Sequence, residues 1–355
     1  MNNDRIQEIL DLMEEARLDY FLISDPQSIA YCTGYYNDPH ERMFVFMISK
    51  HGNHTLFMND LFYLEHDLDV NIVWHKDGQD AIQTIVDEMH FPGRIGIDKN
   101  WASHFLLDLM KKLPGAKYIN ASPCVDLVRM KKDLQEQVLM IESSKINDAV
   151  MEEIIPFIQE GVTEKQLAKK LDELFFNHHS TCYGAIVAFG KNAADPHHEN
   201  DDTPLRKGDC VLIDMGCVYK GYCSDMTRTF FYEGILEEEI KVYEIVKKAN
   251  EAAEAMIKPG VKLSDIDKCA RKVISDEGYG KYFTHRLGHF IGRDVHEYGD
   301  VSSVNEMEVE EGMIFSIEPG IYLEGNFGVR VEDLVMVTKD GCQVLNSFTK
   351  DIYII

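Results

Sequence analysis

Four carboxylates occupy matched places in strand-like runs of the C-terminal half of this sequence. Asp214 stands in Val211-Leu212-Ile213-Asp214-Met215-Gly216, and Glu318 in Phe315-Ser316-Ile317-Glu318-Pro319-Gly320. Each is followed, 11 or 14 residues on, by another acid in a β-rich run: Asp225 before Met226-Thr227-Arg228-Thr229-Phe230, and Glu332 within Val329 to Val337. Ionised acids in apolar strands are almost never fully buried unless paired or coordinating a cation. Histidines gather in two further segments: His285, His289 and His296 within Phe283 to Glu297, and His197-His198 after Pro196 in the polar loop Gly190 to Thr203. His285 and His289 share a face in a strand or a helix alike, Gly288 and Gly292 argue against a regular helix, and Arg286 excludes the HExxH zinc pattern. Acids from four strands and imidazoles from two loops suit a metal site of hard oxygen donors with one nitrogen. Such sites favour Mn²⁺ and tolerate Co²⁺, Fe²⁺ or Zn²⁺, and two ions ~3.5 to 4 Å apart need bridging acids. A metal pair lowers the pKa of a bridging water to give hydroxide and polarises a carbonyl, which is the chemistry of amide or ester hydrolysis.

The elements that must position these groups fall into two domains, expected at residues 1–126 and 127–355. Before Asp126, short β-rich runs (Tyr20 to Ser24, Met43 to Ser49, His54 to Met58, Ile72 to His75, Arg94 to Asp98, Lys117 to Asn120) alternate with helical ones (Arg5 to Ala16, Asp80 to Met89, Ala102 to Lys112), the pattern of an α/β domain. Leu134, Val138, Ile141, Lys145 and Ala149 then recur at the spacing of a linking helix. The remainder carries a faint duplication. Gly161-Val162-Thr163, with the capping-box spacing Thr163 to Gln166, opens one helix, and Gly260-Val261-Lys262-Leu263, with Ser264 to Asp267, opens another. Each is followed by the order strand, acid, strand, acid, so two similar halves would face one another with two carboxylates each.

Composition narrows the partners. The 36 Lys and Arg against 61 Asp and Glu give a net charge of −25, which repels phosphate and acidic membrane surfaces and argues against nucleic acid. At 45% apolar and 10% aromatic residues the chain is a globule rather than an acidic disordered segment. The eight cysteines form no CxxC pair or disulfide scaffold and read as reduced thiols, and the first residues lack the pattern of a signal peptide, so a soluble cytoplasmic protein is expected.

Together, Asp214, Asp225, His289, Glu318 and Glu332, with Gly190-Lys191-Asn192 through Pro196-His197-His198, Ser224 to Thr229, Val295-His296-Glu297 and Glu318-Pro319-Gly320, resemble the pattern of the pita-bread metallopeptidases. That superfamily includes methionine aminopeptidase, aminopeptidase P, prolidase and the non-metal creatinase. The resemblance implies an α+β pita-bread catalytic domain behind an α/β creatinase-like domain, which methionine aminopeptidases lack. It also implies two bound divalent ions, Mn²⁺ foremost, bridged by Asp225 and Glu332, with Asp214 on one ion and His289 and Glu318 on the other. His197 and His296 would contact substrate and the tetrahedral intermediate, and His285 would be a further substrate-side histidine. Arg330, two residues before Glu332, would hold a ligand carboxylate or substrate. Phe290 stands where glycine is common in these proteins and Tyr298-Gly299 where proline is frequent, which bears on pocket size and shape.

Within the superfamily the sequence looks most like a bacterial prolidase, a hydrolase of Xaa-Pro dipeptides. A free substrate carboxylate calls for a cation, for which Arg293 in Gly292-Arg293-Asp294 is the expectation. An Xaa-Pro aminopeptidase and a non-catalytic pita-bread binding module are the alternatives, the second disfavoured by the intact ligand set. Prolidase-like proteins are commonly homodimers, and the charged loop Asp38 to Arg42 is a candidate cap for an active site.

Overall fold

Runs buried on both faces become the central strands of a six-stranded sheet in the computed structural model, which describes residues 1–91 and 93–355. The chain divides into two units, Met1–Arg129 and Met130–Ile355. In the first, β1 (Tyr20–Ile23), β2 (Val45–Ser49), β3 (Thr55–Asn59), β4 (Asn71–His75), β5 (Arg94–Ile97) and β6 (Lys117–Asn120) lie in the order β4-β3-β2-β1-β5-β6. β2 runs antiparallel to both neighbours and the remaining pairs are parallel. Alternation along β1 splits the core: Phe21 and Ile23 pack with α1 (Asn3–Glu15) and α2 (Pro26–Thr33), while Tyr20 and Leu22 pack with α3 (Ala81–Glu88) and α4 (Ser103–Lys112). α2 was not expected. Six consecutive residues, Ser28 to Thr33, are buried, so no amphipathic period marks it, although Asp25 as N-cap, Pro26 at the first position and Gly34 in the left-handed region (φ 80°) punctuate it fully.

α5 (Ser122–Met130) spans the division, and α6 (Leu134–Ile154) opens the second unit with a capping box between Asp133 and Glu136. The helix forms as expected but turns a different face inward. Leu134 and Val138 are exposed, whereas Glu136, Ser143, Asn147 and Asp148 are buried. Physically, α6 backs a stretch where strands break. The Asn147 amide donates to Met215 O (3.0 Å), and the Ser143 hydroxyl lies within reach of Cys217 O (3.4 Å) and Tyr222 O (3.2 Å). Polar side chains there bind backbone carbonyls at the break between strands.

The duplication is visible as two helix pairs, each followed by an antiparallel sheet. α6 and α7 (Glu164–Asn177) precede β7 (Thr181–Cys182), β8 (Ile186–Phe189), β9 (Cys210–Met215), β10 (Cys217–Tyr219), β11 (Tyr222–Cys223) and β12 (Met226–Phe231), with the order β12-β9-β8 in one sheet and β11-β10-β7 in another. α8 (Glu237–Met256) and α9 (Leu263–Asp276) precede β13 (Gly288–Phe290), β14 (Glu297–Val301), β15 (Ile314–Ile317), β16 (Gly320–Leu323), β17 (Phe327–Arg330), β18 (Asp333–Val337) and β19 (Cys342–Val344). Here the order is β14-β13-β15-β18-β19, with β16-β17 a separate hairpin. The expected Thr163–Gln166 box caps α7. The expected Ser264–Asp267 box does not form, because α9 starts at Leu263: Ser264 donates to Glu306 (3.1 Å) and Asp267 binds Arg271 (2.9 and 2.8 Å). An α/β unit thus precedes an α+β unit. Among the described residues no helix is long and apolar enough to cross a membrane, and the eight cysteines are free.

Candidate metal centre

Strand register brings the four acids together in pairs. Asp214 lies opposite Thr227 in the β9–β12 ladder, and Asp225, two residues before Thr227, therefore shares its face. Ile317 lies opposite Asp333, so continuing the register by one residue sets Glu318 against Glu332. The two halves are stitched where β12 meets the start of β18: Glu332 N donates to Thr227 O (3.1 Å), the Thr227 hydroxyl to Glu332 Oε2 (2.6 Å), and Arg228 to the Glu332 carbonyl (2.7 Å).

His289, in the three-residue strand β13, completes the cluster. Its Nε2 lies 3.6 Å from both Asp225 Oδ2 and Glu318 Oε1, and donor atoms of Asp225, His289 and Glu332 all fall within 4.8 Å of one another. These three side chains are buried, at 5, 4 and 2% exposure. The Nδ1 of His289 faces Phe290 O at 3.2 Å. A carbonyl only accepts, so Nδ1 carries a proton and Nε2 is the nitrogen turned to the acids, where a bound cation would take its lone pair.

Electrostatics give the fit test for a cation. Burial, aided by the neighbouring acids, pushes Asp214 up to about 6 despite Arg330, Glu318 up to about 7, and Glu332 well above the usual carboxylate range. Burial alone would lower His289, but the bond to Asp225 and the charge of Glu318 raise it. Carboxylates crowded in this way favour taking up either protons or divalent cations. Three of them are also tethered: Arg330 binds Asp214 Oδ2 (2.7 Å), Thr227 binds Glu332, and Ser316 Oγ donates to Glu318 Oε1 (3.2 Å). The residues fit a divalent metal centre.

The cluster opens into a cavity of about 230 Å³ lined by all five expected ligands, by His197, His285, His296 and Arg330, and by Tyr183 and Arg286. The ring of His296 packs 4.1 Å from that of His289, and burial with His289 beside it lowers His296 to about 4. His285 is saturated. Its Nδ1 meets Arg286 O (2.7 Å) and its Nε2 the Tyr322 hydroxyl (2.9 Å), which itself accepts from Arg330 (3.0 Å). Burial and Arg330 hold His285 near 4, so it is neutral and serves as a fixed wall.

Arg293 is not brought to the cavity: its guanidinium lies over the Tyr222 ring (5.4 Å) and against Gly221. Besides Arg330, which is tied to Asp214, the cavity is lined by Arg286, exposed between His285 and Leu287, a residue the sequence did not mark as a substrate contact. Sequence reasoning also missed Thr227 and Tyr322. Thr227 had a usable signal, since its two-residue spacing from Asp225 puts it on the ligand face. Phe290, expected to affect the pocket, is instead wholly buried against Phe315 (ring centroids 5.3 Å). A Cβ on Gly299 (φ 101°) would come within 2.7 Å of the Phe290 ring, so both departures from the family pattern belong to one packing arrangement away from the cavity.

Comparison with known proteins agrees with this geometry. Residues 138–339 match the model of metallopeptidase family M24, and residues 5–131 match the creatinase/prolidase N-terminal domain. An uncharacterized peptidase of Staphylococcus aureus is 35% identical over 98% of this chain and 99% of its own length. Among solved structures, a dipeptidase from Pyrococcus horikoshii OT3 superposes with a TM-score of 0.93 at 34% identity, covering 99% of this chain and 100% of that one. A prolidase from Thermococcus sibiricus gives 0.94 at 32%, covering 100% and 99%.

Proposed function

Because the chain belongs to metallopeptidase family M24 and is a metallopeptidase of pita-bread fold, we propose that it hydrolyses Xaa-Pro dipeptides at a centre of two divalent ions, Mn²⁺ foremost. The observation that carries this reading is the convergence of Asp225, His289 and Glu332 within 4.8 Å, with Asp214 and Glu318 on the same cavity. Asp225 and Glu332 would bridge the ions, Asp214 would complete one, and His289 with Glu318 the other. Bound there, the ions would supply an activated water and polarise the scissile carbonyl.

The remaining roles fall to the chain's own groups. Glu318, on the cavity wall beside the ions, would take and return a proton during turnover. His197 and His296, on the cavity wall but outside the ligand set, would donate hydrogen bonds to the carbonyl oxygen as charge develops on it. Arg330 fixes Asp214 and, through Tyr322, the His285 wall. Arg286, on the cavity wall, would pair with the free carboxylate of a dipeptide. Free cysteines support a cytoplasmic setting. Exposed Tyr36, Leu61 and Tyr63, in the unit that carries the Asp38–Arg42 loop, supply apolar surface for a homodimer contact, which sedimentation velocity tests directly.

The deciding experiment pairs metal analysis with two substrates. Two ions per chain and faster turnover of an Xaa-Pro dipeptide than of an Xaa-Pro-Yaa tripeptide are expected. Preference for the tripeptide would make the protein an aminopeptidase, and hydrolysis unaffected by verified metal removal would overturn the mechanism.

A further inference from the structure

We propose that Glu164 and His198 form a positioning pair that sets His197 on the cavity wall, so that a carboxylate outside the metal centre governs turnover. The inference rests on the role proposed above for His197. Glu164, the first residue of α7, has a fully buried side chain. Its Oε1 accepts from Phe189 N and Asn192 Nδ2, both at 2.9 Å; its Oε2 accepts from Asp201 N (3.0 Å) and meets His198 Nε2 at 2.6 Å. All four partners lie between residues 189 and 201, so this carboxylate is committed to the one loop that carries His197.

Burying a carboxylate carries a heavy desolvation cost, and an apolar side chain would fill the same space without it. What an apolar side chain cannot do is hold two backbone N–H groups, an amide and an imidazole in a single arrangement. Adjacent residues of the loop divide the work: His197 lines the cavity while His198 turns to Glu164. The loop's ends are held independently, since Asn200 accepts from Val187 N and donates to Ala185 O (both 2.7 Å) and Asn192 also reaches Thr203 Oγ1 (3.2 Å). Loss of the Glu164 contacts therefore loosens the middle of the loop, where His197 sits. Glu164, His198 and Asp201 are close enough to hold an ion, but two N–H groups already point at the carboxylate, which makes it a hydrogen-bond hub.

The test uses the metal-loaded protein. Glu164→Gln keeps the shape but turns an N–H₂ toward N–H donors, and should lower kcat by about 10- to 100-fold, the scale of an ångström-level misplacement, with KM and metal content near wild type. His198→Ala should behave alike, while His198→Gln, which retains a side-chain N–H donor, should recover most of the loss. In a His197→Ala background Glu164→Gln should cost little more, because both act through the same group. Wild-type kcat in Glu164→Gln, losses that add in the double variant, or equal loss in His198→Ala and His198→Gln would each overturn the proposal. Should Glu164→Gln fail to fold, the two His198 variants decide alone. A silent His197→Ala would instead overturn the role given to His197 itself, an outcome distinct from a silent Glu164→Gln beside an impaired His197→Ala.

Discussion

At the residue scale, the site is a set of four acids, three of them held by a neighbour, yet short of positive charge. Asp225→Asn or Glu332→Gln should therefore lose bound metal and essentially all hydrolysis with circular dichroism unchanged, because an amide cannot supply the bridging charge. Wild-type metal content and turnover in either variant would refute the ligand assignment. The two arginines separate likewise. If Arg286 receives the substrate carboxylate, Arg286→Ser should raise KM for an Xaa-Pro dipeptide by about 10-fold, the low end for a charge-assisted bond because the side chain is exposed. Arg293→Ser, its guanidinium over Tyr222, should leave KM within about 2-fold. A C-terminally amidated analogue, lacking the charge, should not discriminate between Arg286→Ser and wild type. The acids were legible in sequence because ionised groups in apolar strands demand an explanation. Arg286 was not, because which of two nearby arginines reaches a cavity depends on how the irregular chain around β13 turns.

At the element scale, the helices and strands are mostly where apolar patterning puts them, and the informative departures have local causes. α6 was legible as a helix from its period but not in its orientation, since the carbonyls of Met215, Cys217 and Tyr222 recruit its polar side. Asn147→Leu should lower the unfolding free energy by about 1 to 3 kcal/mol, the cost of an unpaired buried carbonyl, as read by urea denaturation. No change would mean that Met215 O finds another donor. The β13–β14 pair carries a second device: Phe290 fills the space that Gly299 leaves. Gly299→Ala meets both a left-handed φ and a ring, and should destabilise by more than about 1 kcal/mol. Phe290→Ala should relieve part of that loss in the double variant, and strictly additive effects would show that the two positions are not coupled.

For the whole molecule, the metal centre links the two halves of the second unit, so occupancy should register in global stability. Metal ligated only by the folded chain raises Tm, and chelation should lower Tm and activity together, with Mn²⁺ or Co²⁺ restoring both. The sign of the pH dependence follows from the raised carboxyls. Without metal, Asp214 near 6 and Glu318 near 7 bind protons more tightly folded than unfolded. Their contribution to stability is then present below about pH 4, the unfolded carboxylate range, and lost as pH rises through the folded values. The Tm of chelated protein should fall between about pH 5 and 8, and the gain on adding Mn²⁺ should grow over the same range because fewer protons compete. A gain independent of pH would show that these carboxyls do not hold the ion.

The sequence by itself determined most elements of the first unit, the duplication, the acids and histidines that carry the chemistry, and the family resemblance, because hydrophobic period, turn residues and strand-borne charges are local properties of a chain. Tertiary structure alone decided that Arg286 lines the cavity, that His285 is saturated, that Phe290 packs against Gly299, and that Glu164 answers to the loop bearing His197. Each of these depends on register and packing between residues distant in sequence. Such contacts are set by the closing of antiparallel sheets and the loops between them, where a one-residue slip redirects every side chain.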